Sequence, residues 1–116
     1  MTVPTPGRPV RGSDTGRPIM ALLDLLGRRW AMRIIWELRD KQLSFRELRE
    51  HCDAMSPTVL NTRLHELRAT AIVELAEPGG YRLSASGKTL LKAMMPLLKW
   101  SEEWQAVLAS HDEATG

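Results

Sequence analysis

The sequence predicts a mainly α-helical domain that carries one small antiparallel β-hairpin. Three observations support that class. Apolar residues recur at helical spacing from Ile19 to Leu38 and again from Leu60 to Leu67. Two helix-start signals, Ser44-Phe45-Arg46-Glu47 and Ser56-Pro57, stand close together. Two short β-prone runs flank Glu77-Pro78-Gly79-Gly80. With 116 residues, 43% of them hydrophobic, the chain can bury one core and has no room for a second domain.

Composition also excludes several classes. No apolar run approaches the ~20 residues of a membrane span, and the stretch from Met1 to Arg17 lacks the apolar centre of a secretory signal. The single cysteine, Cys52, has no partner for an internal disulfide. A cytoplasmic protein without a membrane partner is expected. Charge is uneven: 12 basic residues, 11 of them Arg, stand against 8 acidic ones up to Thr70, with 4 against 6 beyond it. Arginine concentrated in one half suits an anion such as phosphate.

Residues 1–17 read as a basic arm, punctuated by Pro4, Pro6, Gly7, Pro9, Gly12 and Gly16 and carrying Arg8, Arg11 and Arg17. It is either a flexible tail or an arm that reaches a minor groove. The domain proper is expected over 18–110. Leu22, Leu23, Leu25 and Leu26 form a first helix with Gly27 as its C′ residue. Trp30 starts a second, with Ile34, Ile35 and Leu38 on one side. Ser44 to Cys52 form a third helix opened by a capping box, in which Ser44 and Glu47 bond each other's backbone amides.

Ser56 as N-cap and Pro57 at the first helical position start a fourth helix, which runs to about Thr70. Leu60, Leu64, Leu67 and Ala71 form its core stripe. Its other face carries Thr58, Asn61, Thr62, His65 and Arg68, short or planar hydrogen-bonding side chains suited to base edges and phosphates. Ile72 to Leu75 and Tyr81 to Leu83 are the strands, joined by a type II turn. Ser84 caps a last helical region that Pro96 should kink or split, and 111–116 is expected to be a disordered tail. The apolar residues of that last region cover more than one face, so a second partner is needed, most simply another copy of the chain.

Two short helices joined tightly and followed by a hairpin is the order of a winged helix-turn-helix. Here the fourth helix would lie in the major groove. Ser56, Thr58, Asn61, Thr62 and His65 would face the DNA, with Arg46, Arg63, Arg68 and the hairpin's Arg82 on phosphates. No catalytic constellation is legible. His51, Cys52 and Asp53 are adjacent and point apart, and neither they nor His65 have a metal-ligand spacing, so no cofactor or metal is expected.

At this level the chain resembles the HxlR-type transcriptional regulators of bacteria, relatives of the MarR group. Leu25-Leu26-Gly27-Arg28-Arg29-Trp30, Ser44-Phe45-Arg46-Glu47-Leu48, Ser56-x-x-Val59-Leu60-x-x-Arg63-Leu64-x-x-Leu67 and Tyr81-x-Leu83-Ser84-x-x-Gly87 are similar to that family's ordered elements, and Trp100 sits where a late tryptophan is common. The resemblance spans roughly Pro18 to Trp104. It implies a homodimer joined through the first and last helices that binds an inverted repeat in double-stranded DNA, most simply as a repressor. Arg17-Pro18 stands where many members carry a sensing cysteine before proline, and Thr58 where a basic residue is common.

Two alternatives stay open. One is release from DNA by a small hydrophobic aromatic effector near the dimer-interface tryptophans, with Leu22, Trp30, Met94, Leu98, Trp100 and Trp104 as interface or pocket residues. The other is a winged-helix protein-interaction module without specific DNA binding.

Overall fold

The computed structural model describes residues 3–10 and 14–115. Its elements run α1 (Pro18–Leu26), α2 (Ala31–Glu37), α3 (Phe45–His51), α4 (Pro57–Ala69), β1 (Val73–Leu75), β2 (Tyr81–Leu83) and α5 (Ala85–Thr115). This is the mainly helical domain with one antiparallel hairpin that the sequence predicts. No helix among the described residues is long and apolar enough to cross a membrane.

One core joins all the elements up to the first turns of α5. Ile34 and Ile35 of α2 and Leu38 at its C-cap meet Leu48 and Cys52, Leu60, Leu64 and Leu67 of α4, and Val73 and Leu83 of the hairpin, all fully buried or nearly so. Spacing of three and four residues puts each helix's leucines on one face, and burial of that face supplies most of its stability. The capping signals hold their places. The Ser44 hydroxyl accepts the Glu47 amide at 3.1 Å while the Glu47 carboxylate accepts the Ser44 amide at 2.9 Å. The Ser56 hydroxyl accepts the Val59 amide at 3.3 Å, with Pro57 beginning α4.

Between α3 and α4 the chain turns without glycine. Asp53 and Ala54 both take left-handed backbone angles, φ 58° and 54°. Such angles are costly for alanine, and they are held by the Ala54 amide on the Arg49 carbonyl at 3.0 Å and by Arg49 Nε on the Met55 carbonyl at 2.7 Å.

The hairpin pairs Val73 with Leu83, Glu74 with Arg82 and Leu75 with Tyr81. Leu43 bridges Tyr81, adding one rung from the segment before α3. Gly80 has φ 119°, and a Cβ there would sit 2.7 Å from the Leu43 carbonyl oxygen, so this rung requires glycine.

Several local expectations are corrected. Gly27 closes α1 in right-handed geometry at φ −75°, and the left-handed residue of the α1–α2 link is Trp30 at φ 77°. Ala71 lies beyond α4, exposed, at φ 61°, because the chain must reverse there to enter β1; it is not part of the leucine stripe. In the hairpin loop the positive φ falls at Gly80 and not at Gly79, which excludes the expected type II turn. Pro96 does not split α5, which runs on through residues 111–115 where a tail was expected. The arm is not free along its described length. Pro4 is buried, and the Gly7 amide donates to the Gly16 carbonyl at 2.8 Å. Proline rings bury apolar surface at little conformational cost. Arg11 lies outside the described residues.

The start of α5 is welded to the start of the hairpin. The Ser84 hydroxyl donates to the Ala71 carbonyl at 2.6 Å and accepts the Gly87 amide at 2.9 Å. A Cβ on Gly87 would fall on the Ile72 carbonyl oxygen, nearer than real carbons approach. Gly87→Ala is therefore expected to cost about 2 kcal/mol or more in urea unfolding, whereas Gly79→Ala, with nothing within 4 Å of its Cβ, stays near wild type.

Candidate nucleic-acid interface

The face of α4 opposite its leucines is open. Thr58, Asn61, Thr62, His65 and Arg68 are all exposed, and at ~100° per residue they share one contiguous strip. The Thr62 hydroxyl donates to the Thr58 carbonyl at 3.0 Å. His65 and Arg68 line a hollow of about 430 Å³ against β1, with Glu74 on its far wall. Arg46 on α3 is exposed and loosely paired with Glu50 at 3.4 Å. Ser56 is exposed, but its hydroxyl is engaged as the cap of α4.

Two predicted phosphate ligands are otherwise engaged. Arg82 is bonded to Glu74, its cross-strand partner, at 2.7 Å and is half-exposed. Arg63 is not on the open face. Its side chain is only 18% exposed, with one guanidinium nitrogen 3.0 Å from Glu66 and Nε donating to the Arg29 carbonyl at 2.7 Å. The reason is angular, since five residues past Thr58 a helix has turned ~140° away from it.

Glu66 is the residue that sequence reasoning missed. It is buried, at 3% exposure, and its carboxylate is bonded by both Arg63 and Arg28, while Arg28 also reaches Asp24 of α1 at 3.5 Å. A buried charge survives only when paired and hydrogen-bonded. This cluster fixes α4 to α1 and to the α1–α2 link. The signal available was the arginine pair before Trp30, which reads equally well as solvated charge.

A second cluster sets the turn between α3 and α4. Arg33 on α2 bonds Glu37 at 2.9 Å, the His51 carbonyl at 2.7 Å and Asp53 at 3.4 Å, and His51 Nδ1 lies 3.1 Å from Glu37. Burial alone would push the Glu37 carboxyl up, but its hydrogen bonds from Arg33 and His51 outweigh that and hold it below the usual carboxylate range. Between these residues Cys52 turns into the core, fully buried, and burial pushes its thiol up. His51 and Asp53 thus share one charged cluster, while Cys52 between them faces the core.

The residues expected at an interface or effector pocket separate into several places. Met94 and Leu98 line a cavity of about 290 Å³ between α2 and α5, together with Met32, Trp36, Leu91 and Met95. Leu22 instead borders a hollow under Pro4 and Pro6. Trp30 is half-buried against the core with the Arg29 guanidinium 5.7 Å over its ring. Trp100 and Trp104 stack on each other at 5.6 Å, exposed on the outer half of α5.

The HxlR-like helix-turn-helix model matches residues 25–108, from the end of α1 to deep in α5. The chain belongs to the HxlR-like helix-turn-helix family. It is 28% identical over 102 residues to YybR of Bacillus subtilis (strain 168), an uncharacterized HTH-type transcriptional regulator, covering 83% of this chain and 82% of that one. The fold matches quinone-bound YodB from B. subtilis with a TM-score of 0.68 at 32% identity, covering 74% of this chain and 97% of that one. It also matches a possible HxlR family transcriptional factor from Thermoplasma volcanium GSS1, with a TM-score of 0.67 at 27% identity, over 77% and 85% of the two chains. This HxlR-family chain is a transcriptional regulator of the helix-turn-helix type, and its relatives are regulators and not enzymes.

Because Glu66 is the shared acceptor of two partly buried guanidinium groups, Glu66→Ala takes that acceptor from both, although Arg28 keeps Asp24. It is expected to cost about 3 kcal/mol of unfolding free energy, in the range for breaking a buried ion pair. Glu50→Ala at the surface should stay within about 0.5 kcal/mol, both read by urea denaturation.

Proposed function

We propose that this regulator binds double-stranded DNA sequence-specifically as a homodimer in the bacterial cytoplasm, at an inverted repeat, and represses transcription there. The observation that carries the reading is the open strip of α4. Its planar and hydroxyl side chains are held outward by a leucine core and an ion cluster on the opposite side. Thr58, Asn61, Thr62 and His65 read base edges, with Asn61 suited to a bidentate contact with adenine. Ser56 lies at the helix end nearest the backbone, while Arg46, Arg68 and a released Arg82 meet phosphates. Arg63 serves instead to fix the helix.

The homodimer is supported by α5. Every residue from Met95 to Glu113 is exposed, yet Leu97, Trp100, Trp104, Val107 and Leu108 form an apolar stripe at spacings of three and four residues. Ile19 and Leu23 of α1 are exposed as well. Such a stripe on a soluble helix calls for a matching one, and a two-fold axis supplies it. It would place the two copies of α4 about one helical turn of DNA apart, ~34 Å.

A second reading is favoured by the α2–α5 cavity, whose apolar lining suits a flat hydrophobic effector that shifts α5 and with it the spacing of the recognition helices. The relative YodB has been captured with quinone bound. In the present chain Cys52 is buried, so a non-covalent pocket at Trp36 supports the reading better than thiol capture, and better than the outlying Trp100 and Trp104.

Fluorescence anisotropy with DNA from upstream of the regulator's own gene, against scrambled DNA, tests the main reading. Tight binding that resists scrambled competitor, weakens with salt and drops about fivefold or more in Asn61→Ala, by about 1–3 kcal/mol, is expected. Equal binding of both DNAs would overturn it in favour of a protein-interaction module. For the second reading, a naphthoquinone should quench tryptophan emission saturably and release the DNA. Trp36→Phe should remove that saturable quenching; its persistence would sink the cavity as the site.

A further inference from the structure

The wing has two sides. β1 borders the hollow with His65 and Arg68, whereas β2 borders a second basin from which the DNA reading takes only Arg82. That basin encloses about 270 Å³ and is lined by Arg39 and Lys41 from the α2–α3 link, Arg82 from β2 and Lys88 from the first turns of α5, with Asp40 as its one carboxylate. Four cations from three separate parts of the chain converge on one concavity.

Their state is distinctive. Arg39 is set by its own helix end, with the guanidinium 4.3 Å over the Trp36 ring and one nitrogen on the Trp36 carbonyl at 3.1 Å. Neither contact neutralises it. Among the described residues, no carboxylate lies within ion-pair distance of Arg39, Lys41 or Lys88. The rim is also anchored: Gln42 donates to the carbonyls of Glu77 and Gly79 at 3.2 Å each, and Leu43 forms its rung with Tyr81. A solvated face of lysines would spread its charges over a convex surface. Here like charges are held together around a hollow, which is unfavourable unless an anion fills it.

We propose that this basin is a phosphate site, in which Arg39, Lys41 and Lys88 bind one phosphate group and Arg82 joins them when it leaves Glu74. The phosphate comes either from the DNA backbone on the side of the wing away from α4 or from a free phosphorylated molecule. The first source rests on the reading of the chain as DNA-binding, and the second does not.

The test compares wild type with Lys41→Gln/Lys88→Gln and with Lys92→Gln/Lys99→Gln, which removes the same charge from exposed lysines of α5 outside the basin. Circular dichroism melting checks that all three fold. Pyrophosphate is titrated at constant ionic strength, followed by amide NMR shifts around Arg39 to Gln42, and DNA affinity is measured against salt on both upstream and scrambled duplexes. Saturable pyrophosphate shifts in wild type and the control, lost in Lys41→Gln/Lys88→Gln, establish the basin as a phosphate site. If the salt slope on both duplexes also falls by about one per lysine, the backbone is the source. If the slope is unchanged, the ligand is a free phosphate. No saturable shift and no slope change beyond the control's would overturn the site. Because the slope is read on scrambled DNA too, failure of operator recognition is seen separately.

Discussion

Glu66 is the constraint on which the rest of the molecule depends. A carboxylate buried beside Leu67 is tolerable only with cations against it, and Arg28 and Arg63 supply them from two directions. Arg28 belongs to the α1–α2 link and also touches Asp24, so α4 is tied to α1 as well as to the core. Leucine packing alone would hold α4 near the core and allow it to slide or roll. An ion cluster with fixed hydrogen-bond directions does not. The outward strip from Thr58 to Arg68 is thereby aimed, and Arg63 is taken out of it.

The same logic applies at the turn. Asp53 and Ala54 adopt angles that favour glycine, and the cluster of Arg33, Glu37, His51 and Asp53 closes around them from α2 and α3. Hydrogen bonds from Arg33 and His51 hold the Glu37 carboxyl below the usual carboxylate range despite its burial. Charged side chains set angles between helices here, while apolar ones set their contacts.

α5 divides the molecule. Its first turns are bonded to the hairpin through Ser84, and Leu90, Leu91 and Met94 pack against the core; residues 95–113 are all exposed. One helix therefore spans the wing, the α2–α5 cavity and the exposed tryptophans.

The sequence by itself determined the element order, because the information is local. Capping residues at Ser44 and Ser56, leucine spacing in α4 and the β-prone runs around Pro78 act over a few residues and leave their marks there. It also determined which side of α4 is polar. Tertiary structure alone decided that Arg63 turns inward to a buried Glu66, that the α3–α4 reversal uses alanine, that Ala71 leaves the leucine stripe, and that Trp36 and not Trp100 lines the cavity. Each of these depends on partners 20 or more residues away or on backbone angles imposed by packing, and a solvated arginine and a buried one are written with the same letter.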